Sequence, residues 1–251
     1  MSGRIRPIRL PGSAVVIRYA DASGVERLAD VEAAKGVDFE NALPIRAIPS
    51  YAGQRHTPGT YWSASGDRHV RYESHLESRW LKIIDQAPDT AVFVSQAMEL
   101  SGNDRDGSWR HVPDIWVRRV DGSVRLVDVK AAWLLDRPDV VRQRDRTALV
   151  CERLGWDYEM VGEPDKQIAA NVEWLAGYRR PLGAGAALVQ PLLSLAAQPV
   201  SIAALTGFQA VPELARSVVF HLMWGNRLSF DITRPIRDTT LVRAQEHGGD
   251  R

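Results

Sequence analysis

The stretch HVPDIWVRRVDGSVRLVDVK, His111 to Lys130, decides how this chain folds. β-Branched and aromatic residues flank Asp121-Gly122, a dipeptide that favours positive φ, so the stretch predicts two antiparallel strands joined by a tight turn. Successive strand side chains point to opposite faces. Asp128 and Lys130 therefore project the same way, while Val129 between them points into apolar packing. Asp114, just after Pro113 on the partner strand, can be brought beside that pair. Two carboxylates and an amine would then share one small space in a segment otherwise rich in Val, Ile, Leu and Trp. Such a trio suits metal-assisted phosphodiester hydrolysis. Mg²⁺ takes oxygen ligands from one or two carboxylates and leaves its other positions to water and phosphate. A positioned ammonium, here Lys130, can orient the attacking water or stabilise charge developing on phosphate. The competing reading is a plain hairpin with a solvated outer face.

Working outward, the 251 residues suffice for one large or two modest domains, and 45% apolar with 25% charged residues is ordinary for a globular protein. A formal net charge of +1 leaves any nucleic-acid contact to local patches. The single cysteine, Cys151, excludes an internal disulfide framework and a CxxC zinc site, and fits a reducing cytoplasm. The beginning of the chain, MSGRIRPIRLPGS, lacks the apolar run of a signal peptide, and no stretch approaches the ~18 apolar residues of a membrane helix. No membrane association is expected.

Residues 1–12 read as an Arg/Pro/Gly-rich arm. AVVIRYA, DASG and VERLADV predict a hairpin. From Asn41 to Tyr72, proline and glycine predict loops and short extended pieces, with Arg55, Arg68 and Arg71 among Tyr51, Tyr61, Trp62 and Tyr72. Cations interleaved with aromatics can follow a phosphate backbone and stack on bases, which makes these arginines candidate DNA contacts. An ordinary solvated loop region is the alternative.

A helix opens at Ser74, with Leu76, Trp80, Ile83 and Ile84 on one face. Ser74-x-x-Glu77 has the form of a capping box, yet Glu77 also borders the buried face and could reach toward Asp114 and Asp128, with Glu73 as the substitute. VFVSQAMEL then predicts a strand feeding a loop, SGNDRDGS. Beyond Lys130 a helix runs from Pro138 to Leu154, stopped by Gly155, and WDYEMV predicts a strand parallel to the first. Arg142, Arg144 and Arg146 on that helix are further candidate phosphate contacts. Another helix runs from Asp165 to about Arg179. After a linker at Pro181–Gly185, three short helices and two strands around Arg234-Pro235 suggest a winged-helix-like module. Its third helix, VPELARSVVFHLMW, is too apolar to read bases. It should be buried in its own core or against a partner protein, and partner docking is the favoured expectation.

The spacing P-D, fourteen positions to the next acid (128 − 114), then D-x-K, resembles the PD-(D/E)xK nuclease superfamily. Together with YESHLE and the VFVSQ strand, it resembles the TnsA-like endonuclease subunits of heteromeric transposases, over roughly Tyr72 to Arg180. The resemblance implies an α/β restriction-endonuclease-like mixed sheet flanked by helices, followed by a small winged-helix-like domain. The expected blocks are 1–70, a nuclease core at 71–180 and 186–244. It implies Mg²⁺-dependent cleavage of one strand of double-stranded DNA at transposon 5′ ends, with Mn²⁺ as substitute. The implied partners are a DDE-type, TnsB-like transposase and an AAA+, TnsC-like ATPase, acting at the bacterial nucleoid. Carried over residue by residue, Glu77, Asp114, Asp128 and Lys130 are catalytic. Glu77, Asp114, Asp128 and the Val129 carbonyl hold the metal. Gln96, which the family often follows with proline and this chain with Ala97, is a supporting candidate, as are His111 and Glu73. A stand-alone restriction or phage-defence nuclease shares this chemistry, and a non-catalytic DNA-binding scaffold is the alternative of another class.

Overall fold

The computed structural model describes residues 15–46, 58–207 and 209–245. In chain order these form β1 (Val16–Ala20), β2 (Glu26–Ala29), the single turn α1 (Val31–Ala34), β3 (Gly59–Ser63), β4 (Arg68–Tyr72), α2 (His75–Gln86) and β5 (Thr90–Ser95). There follow β6 (Glu99–Asp104), β7 (Gly107–His111), β8 (Ile115–Arg119), β9 (Val124–Val129), α3 (Pro138–Leu154), β10 (Asp157–Val161) and α4 (Lys166–Leu175). The chain ends on α5 (Val189–Leu195), β11 (Val200–Ser201), α6 (Ile202–Gly207), α7 (Pro212–Trp224), β12 (Leu228–Ser229) and β13 (Leu241–Ala244). The fold class is mixed α/β, with strand orders β2-β1-β6-β7, β10-β9-β8-β5, β11-β13-β12 and β3-β4. Among the described residues no helix is long and apolar enough to cross a membrane. The arm at 1–12 and Arg55 lie outside the described residues.

Contacts divide the chain into two interleaved units, which cut across the consecutive blocks the sequence suggests. One contains Met1–Pro49, Val94–Arg118 and Gly122–Val161; the other contains Ser50–Phe93, Arg119–Asp121 and Gly162–Arg251.

In the first unit the predicted hairpin is present. β8 pairs antiparallel with β9, Ile115 opposite Val127 and Trp116 opposite Leu126, and Gly122 takes φ +85° in the turn, where a Cβ would be strained. β9 is buried on both faces from Leu126 to Val129, the pattern of a central strand. α3 starts at Pro138 and stops at Gly155 in the left-handed region, as proline at the first turn and glycine past the last one dictate. β10 then returns parallel to β9, Tyr158 opposite Leu126 and Met160 opposite Asp128. The core includes Phe39, whose ring meets Tyr19, Trp116 and Trp156 at 5.3, 6.3 and 5.5 Å.

SGNDRDGS is not a loop, as expected above, but the turn region of a second hairpin. β6 and β7 pair with Gly102 opposite Trp109, and the Trp109 ring lies where a Gly102 side chain would be, 2.9 Å from an ideal Cβ. The polar residues on its exposed end hide the strand period.

In the second unit, the stretch before Tyr72 likewise holds a hairpin, β3 with β4, where loops and short extended pieces are expected. A buried carboxylate fixes it. Asp85 on α2 accepts bonds from Tyr61 Oη (2.6 Å), Ser63 Oγ (3.0 Å) and the backbone amides of Ala64 and Ser65 (2.8 Å each). The apolar α7 is buried in its own unit: Val218, Val219, Phe220, Leu222, Met223 and Trp224 join Leu192, Ile202 and Leu205 in one core with Val172 and Leu175 of α4. That corrects the expectation that this helix docks a partner, because intrachain packing already covers its apolar face. Arg216 on this helix pairs with Asp238 and lies over the Phe220 ring.

Candidate active site around Asp114 and Asp128

The ends of β8 and β9 bring the two central acids together. Asp114 N donates to Asp128 Oδ1 (3.2 Å), and Val129 N donates to Asp114 Oδ2 (2.7 Å). Each carboxylate thus accepts a backbone amide from beside the other. The adjacency follows from the hairpin register, since Asp114 precedes Ile115, which faces Val127.

Asp128 is fully buried, with 0% exposure. Its Oδ2 lies 2.7 Å from His111 Nε2 and accepts a 2.7 Å bond from Tyr158 Oη. An ionised carboxylate only accepts, so this hydrogen bond requires a proton on His111 Nε2. Gln143 Nε2 of α3 approaches the same ring nitrogen at 3.3 Å. Burial by itself would push the Asp128 carboxyl up. The His111 bond and charge, the Tyr158 bond and the nearby Lys130 ammonium outweigh it and hold the group below the usual carboxylate range. Burial, then the charge and bond of Asp128, drive Tyr158 the other way, so its hydroxyl keeps the proton it donates. Burial first, then the charges of Asp128 and Asp157, push the Cys151 thiol up to about 12. That leaves it inert, as its apolar helix positions suggest.

Lys130, half-exposed, leaves β9 with its amide bonded to Val161 O at 2.9 Å. Gln96 adjoins the acids through its backbone, donating its amide to Asp114 O and accepting from Ile45 N, both at 2.9 Å. It is buried and holds φ +50°, a left-handed conformation that a glutamine adopts only where its surroundings impose it.

The first-helix acids have partners of their own. Ser74 Oγ accepts from Glu77 N at 3.2 Å and donates to Glu77 Oε1 at 3.0 Å, while Glu73 N donates to Glu77 Oε2 at 2.9 Å. This is the complete capping box of α2 in the second unit, and both Glu77 oxygens serve it. Glu73 takes part through its amide. Among the described residues no three or more His, Cys, Asp and Glu side chains group so as to hold a metal ion. Of the expected acids, the described hydrogen bonds join Asp114 and Asp128, while those of Glu77 run within its capping box.

The arginines divide in the same way. Arg146 donates to Asp104 at 2.6 and 2.9 Å and lies over the Trp109 ring, so it braces the β6–β7 hairpin against α3. Arg144 pairs with the adjacent Asp145, and Arg142 is exposed. Arg68 is half-buried on β4 with Nε near Gly66 O (3.4 Å), and Arg71 is exposed opposite Thr60.

No protein-family model matches the chain, and no curated protein matches it significantly. Sequence reasoning missed Tyr158, a partner of the buried acid, and Gln143, which approaches the ring of its partner His111. Their signal was weak: a tyrosine on a strand that register alone sets beside β9, and a glutamine on a helix otherwise rich in arginine. It also missed Arg179 and Arg180, whose guanidiniums lie over the Trp62 ring at 5.9 and 5.1 Å.

Proposed function

We propose that this chain is a metal-dependent DNA endonuclease of the PD-(D/E)xK type, acting as the TnsA-like subunit of a heteromeric transposase. The observation that carries this reading is the reciprocal Asp114–Asp128 contact, with Lys130 just past the end of the strand that carries Asp128. The restriction-endonuclease-like and winged-helix-like descriptions of the two parts belong to the same proposal. The order helix, short strand, two helices and two strands from Val189 to Ala244 favours the second of them.

The donor set suits Mg²⁺. That ion is commonly held through one or two carboxylates and keeps several waters, so a pair of acids with the Val129 carbonyl is a sufficient set. When bound, the ion supplies an activated water and neutralises charge at a phosphodiester. His111 and Tyr158 orient Asp128 and keep it ionised, as partners behind a metal ligand do. The Lys130 ammonium stabilises the charge that develops on the phosphate and orients the attacking water. The expected products carry 5′-phosphate and 3′-hydroxyl ends. Double-stranded DNA is the substrate, and a DDE-type transposase and an AAA+ ATPase are the proposed partners.

A second reading is favoured by one observation. Asp128 is shut from solvent and already takes three donors, which also suits a non-catalytic scaffold that keeps the acid for stability. Nicking of supercoiled plasmid in Mg²⁺ or Mn²⁺ separates the two. Asp114→Asn and Lys130→Ala alter less buried groups, and each is expected to lose nicking by about a hundredfold or more at unchanged melting temperature. Wild-type rates in both variants would exclude the nuclease.

A further inference from the structure

Immediately beyond Lys130 the chain makes a single 3-10 turn, Ala132–Leu134. Its middle residue, Trp133, is 77% exposed, more than any other large apolar side chain among the described residues. An indole usually buries ~150–250 Å², and this one leaves most of its surface open to a partner.

The turn is fixed rather than frayed. Leu134 N donates to Ala131 O at 2.8 Å, Leu135 N to Ala132 O at 3.2 Å and Arg137 N to Leu134 O at 3.1 Å. Lys130, on its near side, is tied to Val161 O. The ring is therefore presented from a rigid base at the end of the strand that carries Asp128. On its far side α3 begins, with Arg137, Arg142 and Arg144 exposed. Arg137 and Arg144 pair with Asp139 and Asp145 across open water, and exposed pairs of this kind are weak enough to exchange an acid for a phosphate. Along the chain, the exposed indole falls between the amine of Lys130 and the guanidiniums at the start of α3, an order that suits a strand whose charge lies on its backbone and whose flat apolar groups lie beside it.

We propose that Trp133 engages the DNA next to the attacked phosphodiester, stacking on a base that has left its partner there. The proposal rests on the nuclease reading for its location and extends it. It makes Trp133 a positioning residue, and it implies that a frayed or distorted step is bound more tightly than regular duplex. The cost of unstacking is least where the duplex is already open.

The test uses the full chain in Ca²⁺ without turnover, with a forked oligonucleotide duplex carrying 2-aminopurine at the junction, and plasmid nicking in Mn²⁺ alongside. Wild type is expected to quench the 2-aminopurine signal and to prefer the fork over the blunt duplex. Trp133→Ala is expected to weaken fork binding tenfold or more, to abolish the quench and to raise the DNA concentration needed for half-maximal nicking. Trp133→Phe is expected to restore most of all three, which a merely structural role would not require. Unaltered binding and quenching in Trp133→Ala would overturn the proposal and leave the nuclease reading intact, the turn then being a surface for protein. Trp133-dependent binding in a protein whose Asp114→Asn and Lys130→Ala variants both nick like wild type would overturn the nuclease reading and keep the base contact.

Discussion

A carboxylate with no exposure must be stabilised by what touches it, and Asp128 takes a ring N–H, a phenol and a backbone amide. Converting it to a neutral amide of the same shape leaves either His111 and Tyr158 or the Asp114 amide facing a nitrogen that cannot accept. Asp128→Asn is expected to lose about 2–4 kcal/mol, and Tyr158→Phe about 1 kcal/mol. Denaturant unfolding of the purified chain measures both, and unchanged midpoints would contradict the network. Loss of activity in an Asp128 variant therefore does not separate chemistry from folding, which is why Asp114 and Lys130 carry the functional test. Glu77 makes the opposite case. Glutamine also completes a capping box, so Glu77→Gln is expected to keep both stability and nicking, whereas Ser74→Ala loses about 1 kcal/mol of helix stability. Nicking abolished in a stable Glu77→Gln variant would return that carboxylate to the metal set.

At the scale of elements, the sequence announced whatever its local chemistry enforces. Asp121-Gly122 can hardly be anything but a turn, Ser74 and Glu77 mark a helix start, and Pro138 and Gly155 bracket α3. What stayed hidden depends on partners far along the chain. β3 and β4 read as loops because their regularity comes from Asp85, more than twenty residues away from Tyr61 and Ser63. β6 and β7 read as a loop because their exposed ends are polar. The acid pair was legible from strand alternation and His111 from the resemblance, but not Tyr158 or Gln143, which reach Asp128 and the His111 ring only once β10 and α3 have returned to the sheet. The segment Ile232–Ile236 follows the same rule. Asn171 on α4 donates from Nδ2 to Ile232 O and Arg234 O, each at 2.7 Å, and its Oδ1 accepts from Ile236 N at 3.4 Å. Asn171→Ala removes all three anchors while leaving Arg234 and the adjoining Arg237 in place. Trypsin is expected to cut after Arg237 at least several-fold faster in that variant, followed by mass spectrometry of the native protein. Equal rates would show that the segment is held by other contacts.

For the whole molecule, the interleaved units change what the C-terminal part can be. Read along the sequence, residues 186–244 look like an attachable module. In space, the core built by Leu192, Ile202, Leu205, Val218 and Met223 also contains Val172, Leu175 and Ala176, from the helical stretch that ends before the linker. Trp174 and Tyr178 also pack against Phe220, with ring centroids 6.0 and 4.9 Å away. Cutting at the linker therefore splits a hydrophobic core rather than separating two. A fragment of residues 186–245 forfeits that shared apolar surface. Sixty residues form a marginal domain even when their core is whole, so the fragment is expected to lack a cooperative thermal transition by circular dichroism. A fragment beginning at Gly162, ahead of α4, restores the missing wall and is expected to show one if α4 is all that the core lacks. If the shorter fragment instead melts cooperatively, the α4 contacts are dispensable, and the C-terminal part is the autonomous module that the sequence suggested.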